Sequence, residues 1–176
     1  MNRTKGTARA VVLVGVMAAI VECGKLALSA IPNVEVVTLL LALFGYTFGW
    51  YGVAAAYVFV CIEPLIYGFN LWVITYFIYW PLVAFVFMLF GRAGVSRRLP
   101  LTATAVLMTV FFGVLSSLVE VGLFTGSYEN FFYRFGIYYA RGIAFYVTQI
   151  ICNAVLFPLV FLPFAKRLGR LSVSIR

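Results

Sequence analysis

The side chains of this chain that can carry charge are few, and their kinds limit the chemistry open to it. Its five acids are all glutamates, Glu22, Glu35, Glu63, Glu120 and Glu129, and there is no Asp and no His. Ser-His-Asp and Cys-His nucleophilic systems, His-rich zinc sites and paired-Asp metal sites therefore cannot be built from this chain alone. The Gly-x-x-x-x-Gly-Lys-Ser/Thr loop that cradles nucleotide phosphates is missing, so ATP hydrolysis is not expected of it. Cys23, Cys61 and Cys152 lie in apolar runs without metal or redox spacing and read as small packing residues. The inventory points away from an enzyme, with no catalytic residue, no metal and no cofactor expected.

What remains suits binding. Arg141, Phe145, Gln149 and Asn153 follow one i+4 row, a polar ridge that a helix surrounded by lipid would not carry. Asn153, the deepest, reads as interhelical glue, while Arg141 and Gln149 are candidates for ligand contact. Trp72, Tyr76, Tyr79 and Trp80 are concentrated in one later segment. Trp72 suits an interfacial anchor, whereas Tyr76, Tyr79 and Trp80 lie deeper and offer rings to a flat molecule. Glu22 and Lys25 are spaced i, i+3 and either neutralise one another or meet a ligand. Glu63 precedes Pro64, which removes a donor and frees a carbonyl one turn earlier, giving either a kink or the polar wall of a pocket. Glu120 completes the buried carboxylates.

The elements that must position these residues are membrane helices. Of 176 residues, 65% are hydrophobic, 18% aromatic and 10% charged, with mean hydropathy +1.09. Soluble domains carry about 45–50% apolar and about 25% charged residues. A span consumes about 20 residues, so the length leaves nothing for a soluble domain. Hydropathy predicts six helices over 8–31, 34–48, 51–67, 71–90, 101–124 and 136–164, a single all-α membrane bundle. The breaks fall at Pro32-Asn33, Gly49-Trp50-Tyr51-Gly52, Gly68-Phe69-Asn70, 91–100 and 125–130. No cleavable signal peptide is visible.

The net charge of +8 is a topology signal. Ten of the thirteen basic residues fall before helix one, between helices four and five, or after helix six. The positive-inside rule then places both termini in the cytoplasm, and nucleic acid is not expected as a partner. All five glutamates fall in the outer half, accompanied there by Lys25, Arg134 and Arg141. A charge in the bilayer centre costs at least about 2.5–3.5 kcal/mol, so such residues face a partner or a cavity.

The segments 31–40, reading Ile-Pro-Asn-Val-Glu-Val-Val-Thr-Leu-Leu, and 48–52, Phe-Gly-Trp-Tyr-Gly, together with 63–72 and Tyr79-Trp80-Pro81, make the whole chain resemble the substrate-binding S components of energy-coupling factor transporters. Those are small six-helix membrane proteins of prokaryotes that import vitamins and related micronutrients. The resemblance implies ligand capture from outside, under a lid formed by residues 30–35, in the prokaryotic cytoplasmic membrane. It further implies docking on a transmembrane coupling protein driven by two ATPase subunits, followed by toppling and inward release. In the family the docking face of helix one carries small residues at i, i+4 spacing. Gly15 and Ala19 match it here, continued by Cys23 and Ala27, with glycine in place of the first alanine. Glu22 lies three residues beyond Ala19, and depth is expected to separate the docking face from the pocket. The candidate ligand contacts are Asn33, Glu35, Glu63, Asn70, Tyr76, Tyr79, Trp80, Glu120, Arg141 and Gln149. A stand-alone proton-coupled carrier is the alternative, since buried carboxylates can relay protons, although the internal repeat common in such carriers is not evident.

Overall fold

The computed structural model describes residues 2–31, 34–124 and 128–175. Every regular element among them is helical: α1 (Asn2–Leu28), α2 (Val37–Phe48), α3 (Trp50–Tyr67), α4 (Trp72–Arg92), α5 (Arg98–Phe124) and α6 (Phe131–Leu156). A five-residue π-turn, Phe157–Phe161, then leads without a break into α7 (Leu162–Ile175). Five segments are long and apolar enough to cross a membrane, namely Gly6–Leu28, Trp50–Tyr67, Trp72–Arg92, Arg98–Leu123 and Phe131–Leu171. Their outward faces carry Val11, Leu65, Leu99, Leu107 and Leu159, each more than 60% exposed. Apolar surface on that scale needs lipid to cover it, and the chain is a multi-pass membrane protein by the length and composition of its helices.

The helix expected over 34–48 is the exception. Starting only at Val37, α2 has 12 residues, about 18 Å at 1.5 Å per residue, too short for a hydrocarbon layer of about 30 Å. Eight of its residues are buried, and it touches α1, α3, α4, α6, the π-turn and α7. It is thus an internal post around which the longer helices stand. Its late start has a local cause, because the Glu35 carboxylate accepts the Thr38 N–H at 2.9 Å and the Thr38 hydroxyl at 2.6 Å. Those bonds satisfy an orphan donor of the first turn and place negative charge at the positive end of the helix.

The turn after α2 is tighter than the expected four-residue break. Gly49 alone separates α2 from α3, at φ 63°, a left-handed conformation that costs a residue with a Cβ. Trp50 and Tyr51 already belong to α3. The α2 and α4 backbones meet so closely that a Cβ on Gly45 would strike the Ala84 carbonyl, and one on Gly91 the Tyr46 carbonyl.

The last expected helix, 136–164, begins earlier and runs longer. Pro158 has no N–H to give the preceding turn and its ring crowds the carbonyl four residues back. The helix widens there into the π-turn and continues. Phe157 and Phe161 stack at 5.2 Å, nearly parallel, and both pack on Phe87 of α4.

Candidate functional site

Where the end of α1, the start of α2, α3, the first half of α4 and the middle of α6 converge, they leave a cavity of about 190 Å³. An apolar cavity of about 150 Å³ suffices for a benzene ring, so this one suits a single substituted ring. Its walls are Lys25, Leu28 and Ser29 from α1 and the residues just after it, Glu35 and Val37 at the start of α2, Phe59 of α3, Tyr76 and Trp80 of α4, and Phe145 and Gln149 of α6. Trp80 makes edge-on contacts with Phe59 at 6.2 Å and with Tyr76 at 5.5 Å. Aromatic walls with a few polar groups are the ordinary make-up of a small-molecule site.

Two polar clusters flank the cavity. One is centred on Glu35. Asn153, fully buried on α6, donates to Glu35 Oε1 and to Thr109 Oγ1 of α5, each at 3.0 Å. The Thr109 hydroxyl in turn donates to the Ala105 carbonyl at 3.0 Å. The Tyr79 hydroxyl lies within hydrogen-bonding reach of Thr38 and Thr109, and its ring is 4.8 Å from those of Trp80 and Phe112. Three donors already occupy the Glu35 carboxylate, which therefore ties α2 to α6 while lining the cavity.

The second cluster joins α1 to α3. Lys25 forms an ion pair with Glu63, not with Glu22 on its own helix, and its ammonium also lies 4.2 Å from the centre of the Tyr67 ring and 5.8 Å from that of Tyr76. Glu63 is fully buried and Glu22 is 7% exposed, and the two carboxyls are in hydrogen-bonding range of one another. Both oxygens of Glu22 and the second oxygen of Glu63 have no donor among the described residues. Trp80, 5% exposed, likewise has an indole N–H without an acceptor.

Of the candidates expected from the sequence, Glu35, Tyr76, Trp80 and Gln149 line the cavity, Glu63 is tied to its wall through Lys25, and Tyr79 packs behind it. Asn33 lies outside the described residues. Three others are placed elsewhere. Asn70 is exposed, its side-chain oxygen accepting the Leu71 N–H at 2.7 Å. Glu120 accepts the Tyr138 hydroxyl at 3.0 Å, and Arg141 is exposed with its guanidinium 6.0 Å from the Tyr138 ring centre. Arg141 and Gln149 share a ridge on a helical wheel, yet two turns, about 12 Å of rise, carry Arg141 away from the cavity. Phe59 and Phe145 enter the site as apolar wall that no charge pattern marks.

Gly15 and Ala19 are exposed on α1, as are Cys23 and Ala27, and nothing stands within 4 Å of a Cβ built on Gly15. Met17, Ala18, Val21 and Glu22 form the buried face. Rotation about the helix, not depth alone, separates Ala19 from Glu22.

A second, wider depression of about 530 Å³ lies at the opposite end of α2 and α4, lined by residues 46–51, Met88, Gly91 and Arg92. The Arg92 guanidinium faces Trp50 at 5.8 Å there, and the Tyr46 hydroxyl donates to the Val95 carbonyl at 2.9 Å. It contains none of the buried carboxylates.

No protein-family model, curated protein or solved structure matches the chain.

Proposed function

We propose that this protein is the substrate-capturing membrane subunit of an energy-coupling factor type importer, binding a ring-containing micronutrient and handing it to a coupling protein driven by two ATPases. The observation that carries this reading is the cavity between the end of α1 and the start of α2, with a wall of Tyr76, Trp80, Phe59 and Phe145 and polar groups from Lys25, Glu35 and Gln149. It is the size of a small ring compound and lies at the end of the bundle where the glutamates gather, away from the α4–α5 connection with its Arg92, Arg97 and Arg98. Placing that basic end in the cytoplasm opens the cavity outward. The exposed ridge of Gly15, Ala19, Cys23 and Ala27 gives a partner helix a surface on which it can approach closely.

Titration of the detergent-solubilised protein against a panel of vitamins tests capture, and binding without ATP is the expected result. Replacing Gly15 and Ala19 together by Leu tests transfer. The double variant should keep its ligand affinity but lose ATP-driven uptake and co-purification with a coupling complex. Loss of ligand binding in parallel would assign the two residues to internal packing. Accumulation of ligand on a proton gradient by the chain alone in liposomes would replace this reading with that of a proton-coupled carrier.

A further inference from the structure

Beside the cavity, where Glu22 and Glu63 stand outside its lining and Lys25 joins Glu63 to its wall, buried acceptors outnumber donors, and the imbalance has a sign. Glu22 and Lys25 approach from α1, Glu63 and Tyr67 from α3, Tyr76 from α4 and Glu35 from the start of α2. Fully ionised, three carboxylates and one ammonium carry a net charge of −2. Among the described residues lining the cavity, Lys25 alone is basic. A buried carboxylate oxygen without a donor is costly, and there are three such oxygens here, two on Glu22 and one on Glu63.

The occupant that corrects this imbalance is a cation with several N–H donors. Lys25 displays how such a group is held, its ammonium between the Glu63 carboxylate and the faces of Tyr67 and Tyr76. Carboxylate and ring faces together attract an organic cation. Among the described residues no group of three or more His, Cys, Asp or Glu side chains is arranged to hold a metal ion, and the neighbouring wall is aromatic.

Resting on the reading of this cavity as a ligand site, we propose that its ligand is an aromatic organic cation, such as an amine or amidine on a ring, whose N–H groups bind the Glu22–Glu63 carboxyls while the ring lies against Tyr76 and Trp80. Lys25 is the tethered occupant of that cation site and moves aside when the ligand enters.

The test uses the purified full chain and three probes of one shape: benzamidinium, benzamide and benzoate. Thermal unfolding and equilibrium binding are followed at millimolar probe, with sodium chloride against N-methylglucamine chloride as the inorganic control. Benzamidinium should raise the unfolding temperature more than benzamide, and benzoate should not raise it. Glu22→Gln should weaken benzamidinium binding about tenfold or more, as expected for removal of a buried charged partner. Lys25→Met should strengthen it by removing the competitor. If Glu63→Gln fails to fold, Glu22→Gln still decides, because no ion pair among the described residues depends on that side chain. Preference for benzoate or benzamide, unchanged benzamidinium affinity in Glu22→Gln, or stabilisation by sodium equal to that by benzamidinium each overturns the proposal. Absence of any benzamidinium effect does so too. A neutral or anionic ligand found in the vitamin panel would defeat the cation site but leave the capture subunit standing. A bound aromatic cation with no uptake through a coupling complex would do the reverse.

Discussion

Glu63 shows what one residue can do when burial is complete. Its pairing with Lys25 joins two helices, the Glu63 side chain fully buried and that of Lys25 27% exposed. Removing one member of a buried pair costs about 3–5 kcal/mol, whereas replacing both by apolar residues is often neutral. Because the Lys25 side chain keeps access to water, Glu63→Ala is expected to destabilise the bundle by less than that amount, and the double change Lys25→Met with Glu63→Leu should restore most of the loss, as read by unfolding in detergent. Asn153 is a second case. It bonds Glu35 and Thr109 at once, so Asn153→Ala should cost about 1–3 kcal/mol. Asn153→Ala in a Glu35→Gln background should cost less, because the charged acceptor has gone. The i, i+3 spacing of Glu22 and Lys25 could not reveal which carboxylate Lys25 chooses. That choice depends on α3 standing beside α1.

At the scale of the element, α2 organises the molecule through close approach. Its contact with α4 leaves no room for a methyl group at Gly45, and overpacking of this kind typically costs about 1–3 kcal/mol. Gly45→Ala should lower the unfolding temperature markedly, while Gly15→Ala, which meets nothing within 4 Å, should leave it unchanged or raise it through better helix propensity. Measured side by side, the two substitutions separate packing from propensity. The shortness of α2 was only partly legible beforehand. Pro32 and Gly49 bound a 15-residue apolar run at 34–48, but the delay of the helix to Val37 comes from the Glu35 bonds to Thr38. Likewise Pro158 announces an irregularity, and only the packing of Phe157 and Phe161 on Phe87 makes a continuous helix through it intelligible.

For the whole molecule, the proposed orientation rests on the distribution of the positive residues. Single cysteines placed at Arg97 and Arg170, in a chain whose three native cysteines are replaced by Ala, should resist a membrane-impermeant maleimide in intact cells. A cysteine placed at Asn70 should react. The opposite labelling pattern would invert the topology and turn the cavity toward the cytoplasm, removing its role in capture from outside.

Composition and periodicity alone determined that this chain is an all-helical membrane protein, roughly where its helices break, and that its polar chemistry rests on five glutamates without His or Asp. Those properties are local or summed along the chain, so an individual segment reports them. The sequence also marked Glu35, Tyr76, Trp80 and Gln149, because polar and aromatic residues inside apolar helices are conspicuous singly. Only the tertiary structure decided that these four line one cavity while Asn70, Glu120 and Arg141 do not, that Lys25 pairs across helices with Glu63, and that Ala19 and Glu22 face opposite surroundings. The physical reason is common to all three. Helical spacing sets which residues share a ridge, but the relative rotation and depth of packed helices set what that ridge meets, and these arise from contacts between segments far apart in the chain.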